Sequence, residues 1–396
     1  MTDRKKPVVA MGWGIYCRWV SAIIAIGGVL LGPGGMGTAS AQDDRDSIAE
    51  SSQQAAILET EDDAVANGTS ARDCCQFGVS IEFNADYSEF SDIEDRGSHS
   101  LTDVYIGTLE AEFKARITPW LSSTIVLSVE DFRKTDESTD VKFDEYWARV
   151  HFPGDFGYAA GGKRIQPFGF FENHLISDTI AEALYEIDDI GLTLGIIHPH
   201  YGLDASLTIY KGRSVVDNLL DLELIDQDPS EHSPDPFNSY IANLTWRPGH
   251  EAIRAGVSYA TEPGEVERIH SLGAAVTLRI RQAILDAELI AALDRDPLPQ
   301  SGSFNDYSWF VALAWELGDH LELAGRYEHF DVHQSGTAPP LPETLWTDSI
   351  RSGINYFVTE WATLSLEYGN IRYETSVDSE AVGENNELRL QLALEF

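Results

Sequence analysis

The sequence predicts an all-β fold: a transmembrane antiparallel up-and-down barrel of about sixteen strands, preceded by a signal peptide and a short disordered segment. Three observations carry that expectation. Apolar and polar side chains alternate over most of residues 77–396; the last ten residues, Glu387-Leu-Arg-Leu-Gln-Leu-Ala-Leu-Glu-Phe396, continue the pattern to a terminal aromatic; and residues 1–41 are laid out for export. A strand has a side-chain period of two, so Leu388, Leu390, Leu392, Leu394 and Phe396 share one face and Arg389, Gln391, Ala393 and Glu395 the other. One face suits lipid and the other a wet lumen.

In chain order, Arg4, Lys5 and Lys6 form a basic start, Ala22–Leu31 an apolar run, and Ala39-Ser40-Ala41 a processing site that makes Gln42 the first mature residue. An uncleaved anchor helix is the alternative, opposed by the Gly-Pro-Gly-Gly at 32–35. Residues 42–76 are acidic and Ser/Gln/Ala-rich without strand periodicity, which predicts a mobile periplasmic segment, or else a short plug. Cys74 and Cys75 are adjacent; a strained vicinal pair, an intermolecular link and two inert thiols are the alternatives.

From Phe77 the alternation gives the barrel, 77–396. Phe77/Val79/Ile81/Phe83/Ala85 open it, followed by Leu109/Ala111/Phe113/Ala115/Ile117, Ile125/Leu127/Val129 and Tyr146/Ala148/Val150/Phe152, then a fifth strand near 158–165. Outward sets recur at Ile190/Leu192/Leu194, Leu203/Ala205/Leu207/Ile209, Tyr240/Ala242/Leu244/Trp246, Ile253/Ala255/Val257/Tyr259, Leu272/Ala274/Val276/Leu278/Ile280 and Leu285/Ala287/Leu289/Ala291. They end with Trp309/Val311/Leu313/Trp315, Leu321/Leu323/Tyr327, Ile350/Ile354/Tyr356/Val358, Ala362/Leu364/Leu366/Tyr368 and the terminal strand. Alternate links are short, as at Pro153-Gly154-Asp155 and Gly318-Asp319-His320, or long and acidic, at 91–103, 131–141, 167–188, 213–236, 294–304, 331–346 and 373–384. Short turns on one side and long loops on the other are the habit of bacterial barrels. Trp120, Tyr240, Trp246, Trp346 and Trp361 fall at strand ends, as interfacial belts do.

Charge narrows function. The chain has 27 Lys+Arg against 65 Asp+Glu, net −38; removing 1–41, with four bases and one acid, leaves 23 against 64, net −41. Nucleic acid is excluded as a partner by that sign. No Gly-x-Ser-x-Gly, His-Glu-x-x-His, phosphate-cradling or calcium-loop spacing occurs, so no enzyme, cofactor or metal site is expected. His198-Pro-His200 falls in a turn, and His329/His333 lack a convergent third ligand, so structural roles are expected for both.

The informative segment is Gly161-Gly-Lys-Arg-Ile-Gln-Pro-Phe-Gly-Phe-Phe-Glu-Asn-His-Leu-Ile-Ser-Asp178. Pro167 and Gly169 break strand pairing, and Ser177–Ile187 is helix-capable with Ser177 or Asp178 as N-cap. A long link after the fifth strand, carrying Glu172, His174, Asp178, Glu182 and Glu186, is placed to enter the channel. Inward parity supplies Arg149, Arg254, Arg279, Arg326, Arg351 and Arg389, and acid facing base would create a transverse field; lumenal solvation with mutual pairing is the alternative. Glu172, His174, Asp178, Glu182, Arg149, Arg254 and Arg351 are therefore the expected constriction residues.

This run resembles the LbtU-type siderophore porins of Gram-negative outer membranes through Gly162, Lys163, Pro167, Phe168, Gly169, Phe171, Glu172, Ser177 and Asp178, with Ile117–Leu121 and Phe143–Tyr146 similar upstream. The resemblance spans about 77–212 and extends in part to phosphate-selective porins. Asn173-His174, Thr179 and Ala183–Ile187 depart from the family pattern. The resemblance implies an outer-membrane porin translocating a ferric siderophore without a TonB-coupled receptor, or another small polar solute. A cation-tilted diffusion porin, or a structural or adhesive barrel with divalent-ion-binding acidic loops, are the alternatives. Lipid, lipopolysaccharide and the barrel-assembly machinery, read through Phe396, are the expected partners.

Overall fold

The computed structural model describes residues 74–92, 98–132, 141–154, 156–215, 218, 237–248, 252–264, 268–295, 304–334, 345–374 and 381–396. The export signal, residues 42–73, most of the links at 213–236 and 331–346, and the side chains of His333 and Trp346 lie outside the described residues. Sixteen strands form one closed antiparallel barrel in which each pairs with its sequence neighbours and the first with the last. They are β1 (Cys75–Asp92), β2 (Ser98–Thr118), β3 (Leu121–Phe132), β4 (Val141–His151), β5 (Gly157–Ile165), β6 (Asp188–His198), β7 (Leu203–Lys211) and β8 (Phe237–Trp246). The second half comprises β9 (Ile253–Pro263), β10 (Arg268–Ile280), β11 (Ala283–Arg295), β12 (Phe304–Glu316), β13 (Leu321–Gln334), β14 (Leu345–Thr359), β15 (Ala362–Glu374) and β16 (Ala381–Glu395).

The alternation does what period two requires. Leu192, Leu194, Leu207, Val257 and Ile350 are exposed on the outer face, while Thr193, Ser206, Thr208, Ser258 and Ser349 beside them are buried inside. A lone edge strand would leave unpaired backbone groups, which closure removes. At the seam Phe396 donates its N–H to the Val79 carbonyl at 2.9 Å and accepts from Val79 N–H at 3.1 Å. Its ring stacks on Trp361 at 5.8 Å.

Strand length varies around the wall. β5 and β7 have 9 residues, enough to cross a bilayer at the usual tilt, whereas β1 and β2 have 18 and 21. The β1–β2 ladder stays paired to Ser91 opposite Ser98, so most of the link expected at 91–103 is strand; Thr102, Val104 and Tyr105 are strand formers. The short links form one end of the barrel. Gly202 sits there at φ 64°, in the left-handed region and with its α-carbon facing the Arg247 carbonyl, where a Cβ has no room. His198-Pro-His200 lies in that turn: Pro199–Tyr201 is a 3-10 turn, and His198 packs on the Tyr201 ring at 4.5 Å. Cys74 and Cys75 are exposed and not joined in a disulfide, and the Cys75 thiol contacts Cys74 Sγ at 3.6 Å.

Part of the inner wall is covered by the link between β5 and β6. Phe168, Phe171, Ile180, Leu184, Tyr185 and Ile187 of the β5–β6 link pack against Tyr210, Ile241, Ala260, Ile290, Phe310, Ala312 and Phe330 of the wall. These wall residues occupy inward positions on β7 to β13, so that arc presents an apolar strip to the lumen and the link covers it.

Candidate functional site: a loop clamped across the lumen

The link runs from Gln166 to Ile187 between β5 and β6, within one residue of the expected 167–188. It leaves the end of the barrel that carries the long loops, drops toward the short-turn end at Glu172 and His174, and returns through helix α1 (Ile180–Tyr185). The depth follows from its partners: Arg254, Asp286 and Glu322 all lie within a few residues of the short turns.

The N-cap differs from the expected Ser177 or Asp178. Thr179 caps α1 and Glu182 completes a capping box, with Glu182 N–H donating to Thr179 Oγ1 at 3.0 Å. Ser177 and Asp178 are occupied elsewhere. Ser177 donates its N–H and hydroxyl to Glu367 at 3.0 and 2.5 Å, and Arg326 donates to the carbonyls of Ser177 and Asp178 at 2.9 and 2.5 Å.

Wall carboxylates accept from loop amides throughout. Glu288 takes the N–H groups of Phe170 and Phe171, each at 2.9 Å, and Glu328 takes that of Ile180 at 2.9 Å. Such charge-assisted bonds are worth about 1.5–3 kcal/mol each. They hold Phe171 at φ 49°, an uncommon conformation for an aromatic residue, costing on the order of 1–3 kcal/mol. Gly169, at φ 82°, lets the chain pass the Glu288 carboxylate: a Cβ there would stand 2.8 Å from its Oε1.

Of the acid–arginine pairs expected across the lumen, Glu172 and Arg254 are in direct contact, and the Arg254 guanidinium covers the Phe170 ring at 3.9 Å. Arg351 is engaged by wall carboxylates, Glu367 at 2.8 Å and Glu387 at 3.0 Å. Arg149 lies over the Tyr158 ring at 3.9 Å, near the short-turn end of β4. Asp178 is buried, and its carbonyl is the acceptor already described for Arg326.

His174 is clamped at the lowest point of the loop. Nε2 is 3.2 Å from Asp286 and Nδ1 3.4 Å from Glu322, while Asn355 donates to both the His174 carbonyl and Glu322 at 2.9 Å. Burial opposes the ring's positive charge, but the hydrogen bonds and charges of Asp286 and Glu322 outweigh it and raise its pKa to about 9. Burial, then Asp178 and Glu186, pushes the Glu182 carboxyl well above the usual range.

Where the loop returns, Arg295 is fully buried between Asp306, at 2.5 Å, and the carbonyls of Leu184, at 3.4 Å, and Val215, at 2.8 Å. Tyr185 donates to Asp306 at 2.6 Å, and Asn218 to the Glu186 carbonyl at 2.9 Å. The start of the β7–β8 link thus packs on α1, with Val215 N–H donating to Glu262 at 3.1 Å. Asp286, Glu328, Asp306, Arg295 and Glu262 were not among the expected site residues. Inward parity was the available signal for Asp286, Glu328, Asp306 and Glu262; Arg295 lies out of phase, beyond a shift in register.

Phe168, Gly169, Phe171, Glu172, Ser177 and Asp178 of the motif lie in this clamp, and Gly162, Lys163 and Pro167 lie outside it. Phe168 and Phe171 enter the apolar strip, Gly169 passes Glu288, Glu172 meets Arg254 and Ser177 meets Glu367. Lys163 pairs with Asp188 and donates to the Asp144 carbonyl at 2.9 Å. Gly162 has φ 135° against the β4 backbone, and Pro167 follows the end of β5.

The closed barrel is a fold shared with solved outer-membrane channels. The outer-membrane channel DcaP of Acinetobacter baumannii superposes with a TM-score of 0.59 at 12% identity, covering 81% of this chain and 97% of that one. OmpF of Salmonella typhi, in complex with daunomycin, gives 0.54 at 10% identity over 80% and 97%. A loop L8 deletion mutant of OmpT, an outer membrane protein of Vibrio cholerae, gives 0.53 at 11% over 82% and 100%. At these identities the likeness is one of fold. No family model matches the chain, and no curated protein sequence matches it.

Proposed function

We propose that the protein is an outer-membrane diffusion porin with a preference for cations. In this reading loop 166–187 is the constriction, and the path runs between it and the wall formed by β16 and β1 to β4. The observation that carries it is the asymmetry of the clamp: the loop's anchors described above lie on β9 to β15. On the opposite arc Lys114 pairs with Glu112 at 2.9 Å and Lys142 pairs with Glu130. Glu82, Asp86, Glu110 and Glu145 then set the sign of that face, with Arg389 and Arg149 as its bases. Glu172, His174, Asp178, Glu182 and Arg254 shape the loop side, and Arg351 holds the wall behind it.

The reading is of a channel, exported through residues 1–41, inserted by the barrel-assembly machinery and surrounded by lipid and lipopolysaccharide, without catalysis. Mature protein in planar bilayers under a potassium chloride gradient should conduct, with a reversal potential of cation-selective sign that shrinks as salt screens the wall. Correctly folded protein that passes no current would favour the structural or adhesive class.

Ferric siderophore uptake is a finer reading carried by the resemblance of Gly161–Asp178. Cells lacking TonB should then gain iron from a ferric siderophore when they express this protein. Uptake equal to that of an empty-vector strain, alongside normal conductance, leaves the diffusion porin.

A further inference from the structure

The outward face of β10 carries charge on the side that a membrane barrel turns to lipid. Leu272, Ala274, Val276, Leu278 and Ile280 line that side, and the nine residues from Leu272 to Ile280 match the 9–11 that cross a bilayer at the usual tilt. Arg268 and His270 continue the same parity beyond this band at the long-loop end, alternating with the buried inward residues Ile269 and Ser271. Tyr240 of β8 and Tyr259 of β9 are exposed on the same face. Beside them the exposed Lys211 ends β7 opposite the exposed Phe237 of β8.

Arg268 is held in place without being neutralised. Its Nε donates to Thr261 Oγ1 at 3.1 Å, its Nη2 donates to the carbonyls of Thr261 and Asn238 at 2.9 Å each, and the guanidinium lies 5.6 Å from the Tyr240 ring centroid. All three acceptors are neutral, and the two N–H groups of Nη1 have no acceptor among the described residues. Arg372 and Lys163, outward by register on β15 and β5, differ: Arg372 lies 3.7 Å from Glu384, and Lys163 pairs with Asp188. His270 is oriented by Tyr259, whose hydroxyl is 2.7 Å from Nδ1 and whose ring stacks on the imidazole at 6.0 Å. The link from β9 to β10, residues 264–267, is the shortest at the long-loop end, so little chain stands between Arg268 and a headgroup layer.

We propose that Arg268, with Lys211 and His270 beside it, binds the phosphate of an outer-leaflet glycolipid, and that the patch across β7 to β10 seats that headgroup against the barrel wall. The inference rests on the porin reading for the leaflet and goes beyond it in assigning a lipid site. A lipid-facing charge is tolerated only near the headgroups, and a guanidinium there takes phosphate oxygens through its planar N–H groups. In a chain of 27 bases and 65 acids, an outward arginine with only neutral contacts fits an anion that the protein does not supply. Tyr240 and Tyr259 lie at the matching depth for interfacial rings, and the exposed Leu244, Val257 and Leu272 below them suit acyl chains. A second copy of this chain fits less well. Asp331, Asp348 and Glu384, on β13, β14 and β16, are already engaged by Tyr307, Tyr327 and Arg372.

The test uses the mature, full-length protein folded in detergent, with bound lipid counted by native mass spectrometry and diphosphorylated lipid A as the probe. The first lipid A should bind at a concentration at least about tenfold lower than phosphatidylcholine, whose headgroup carries its own cation. The K211Q/R268Q variant should raise the half-saturating concentration of lipid A at least about fivefold and leave phosphatidylcholine unchanged. Arg372→Gln removes a base that already has a carboxylate, so it should shift lipid A by less than about twofold. Equal affinity for the two lipids in the unaltered protein, equal shifts in the two variants, or displacement of lipid A by inorganic phosphate at matched concentration overturns the lipid site. Undiminished lipid A binding with a changed oligomeric state in K211Q/R268Q assigns the patch to a second copy and also overturns it. If that variant does not fold, the lipid comparison in the unaltered protein decides alone. The porin reading is judged separately in planar bilayers: conductance without lipid preference leaves the porin and removes the site, and lipid preference in folded protein without conductance does the reverse.

Discussion

The arc from β9 to β15 and the arc from β16 through β4 are built from the same alternating strands, yet they solve opposite problems. The first is stabilised twice, by its ladder and by a loop whose amides fill the carboxylates of Glu288, Glu328 and Glu367. The second has its ladder and short-range polar contacts, such as Gln391 donating to Glu82 at 3.0 Å and Tyr105 to Asp86 at 2.7 Å. Glu288, Glu328 and Glu367 on the first arc are acceptors for the loop backbone, whereas Glu82 and Asp86 on the second accept from side chains. Identical side chains thus take different partners: loop amides for most of the first arc, wall side chains for Glu82 and Asp86 on the second.

The largest effect should come from breaking the arc that has no loop behind it. β16 closes against β1, and Phe396 exchanges two backbone bonds with Val79 at the seam. Deleting Phe396 should lower the yield of assembled barrel about tenfold, measured by membrane fractionation, whereas deleting residues 45–70 should leave yield within about twofold. Equal losses would show that the seam has no special weight. Next, excising residues Phe168–Glu186 and joining the ends with a short Gly/Ser link should raise single-channel conductance at least about twofold, because the strands pair independently of the loop. Unchanged conductance would place the narrowest point elsewhere.

A paired substitution sharpens the same comparison. Glu288→Ala strands the buried Phe171 amide, at about 1–3 kcal/mol, and the half-buried Phe170 amide, and should lower the thermal unfolding midpoint in detergent and add noise to the open channel. Glu82→Gln should move the reversal potential toward zero with little change in that midpoint. If both variants shift stability alike, the division of labour between the arcs is wrong.

Most of the barrel was legible because its signal repeats: a period of two, sampled sixteen times, survives local exceptions such as the bulge between Val126 and Leu127. The loop was legible from Pro167 and Gly169. Its cap was not, because Ser177, Asp178 and Thr179 are all competent, and Glu367 and Arg326 on distant strands decide which remains available. The side on which the loop leans is written in the inward residues Ile241, Ile290, Phe310 and Phe330, but apolar residues also mark the lipid face, so hydrophobicity alone does not tell the two apart. Pairing of Arg295 with Asp306 depends on register between β11 and β12, where a bulge intervenes, and spacing alone does not reveal it.

The smallest predicted effect tests how tightly the loop tip is held. His174 bridges Asp286 on β11 and Glu322 on β13, with Arg279 also acting on Glu322. Its folded pKa, raised from 6.5 to about 9, means that its imidazolium contributes fully below the unfolded value and is lost as pH rises through about 9. Open-channel noise should therefore stay flat from neutral pH up to about 8 and grow above about 9, as two carboxylates face a neutral ring. His174→Gln keeps a hydrogen-bonding side chain but no charge, so it should be noisy throughout and show no such transition. A pH response in that variant matching the unaltered channel would assign the transition to another group and leave the tip anchored by Asn355 and the main-chain bonds at Glu288.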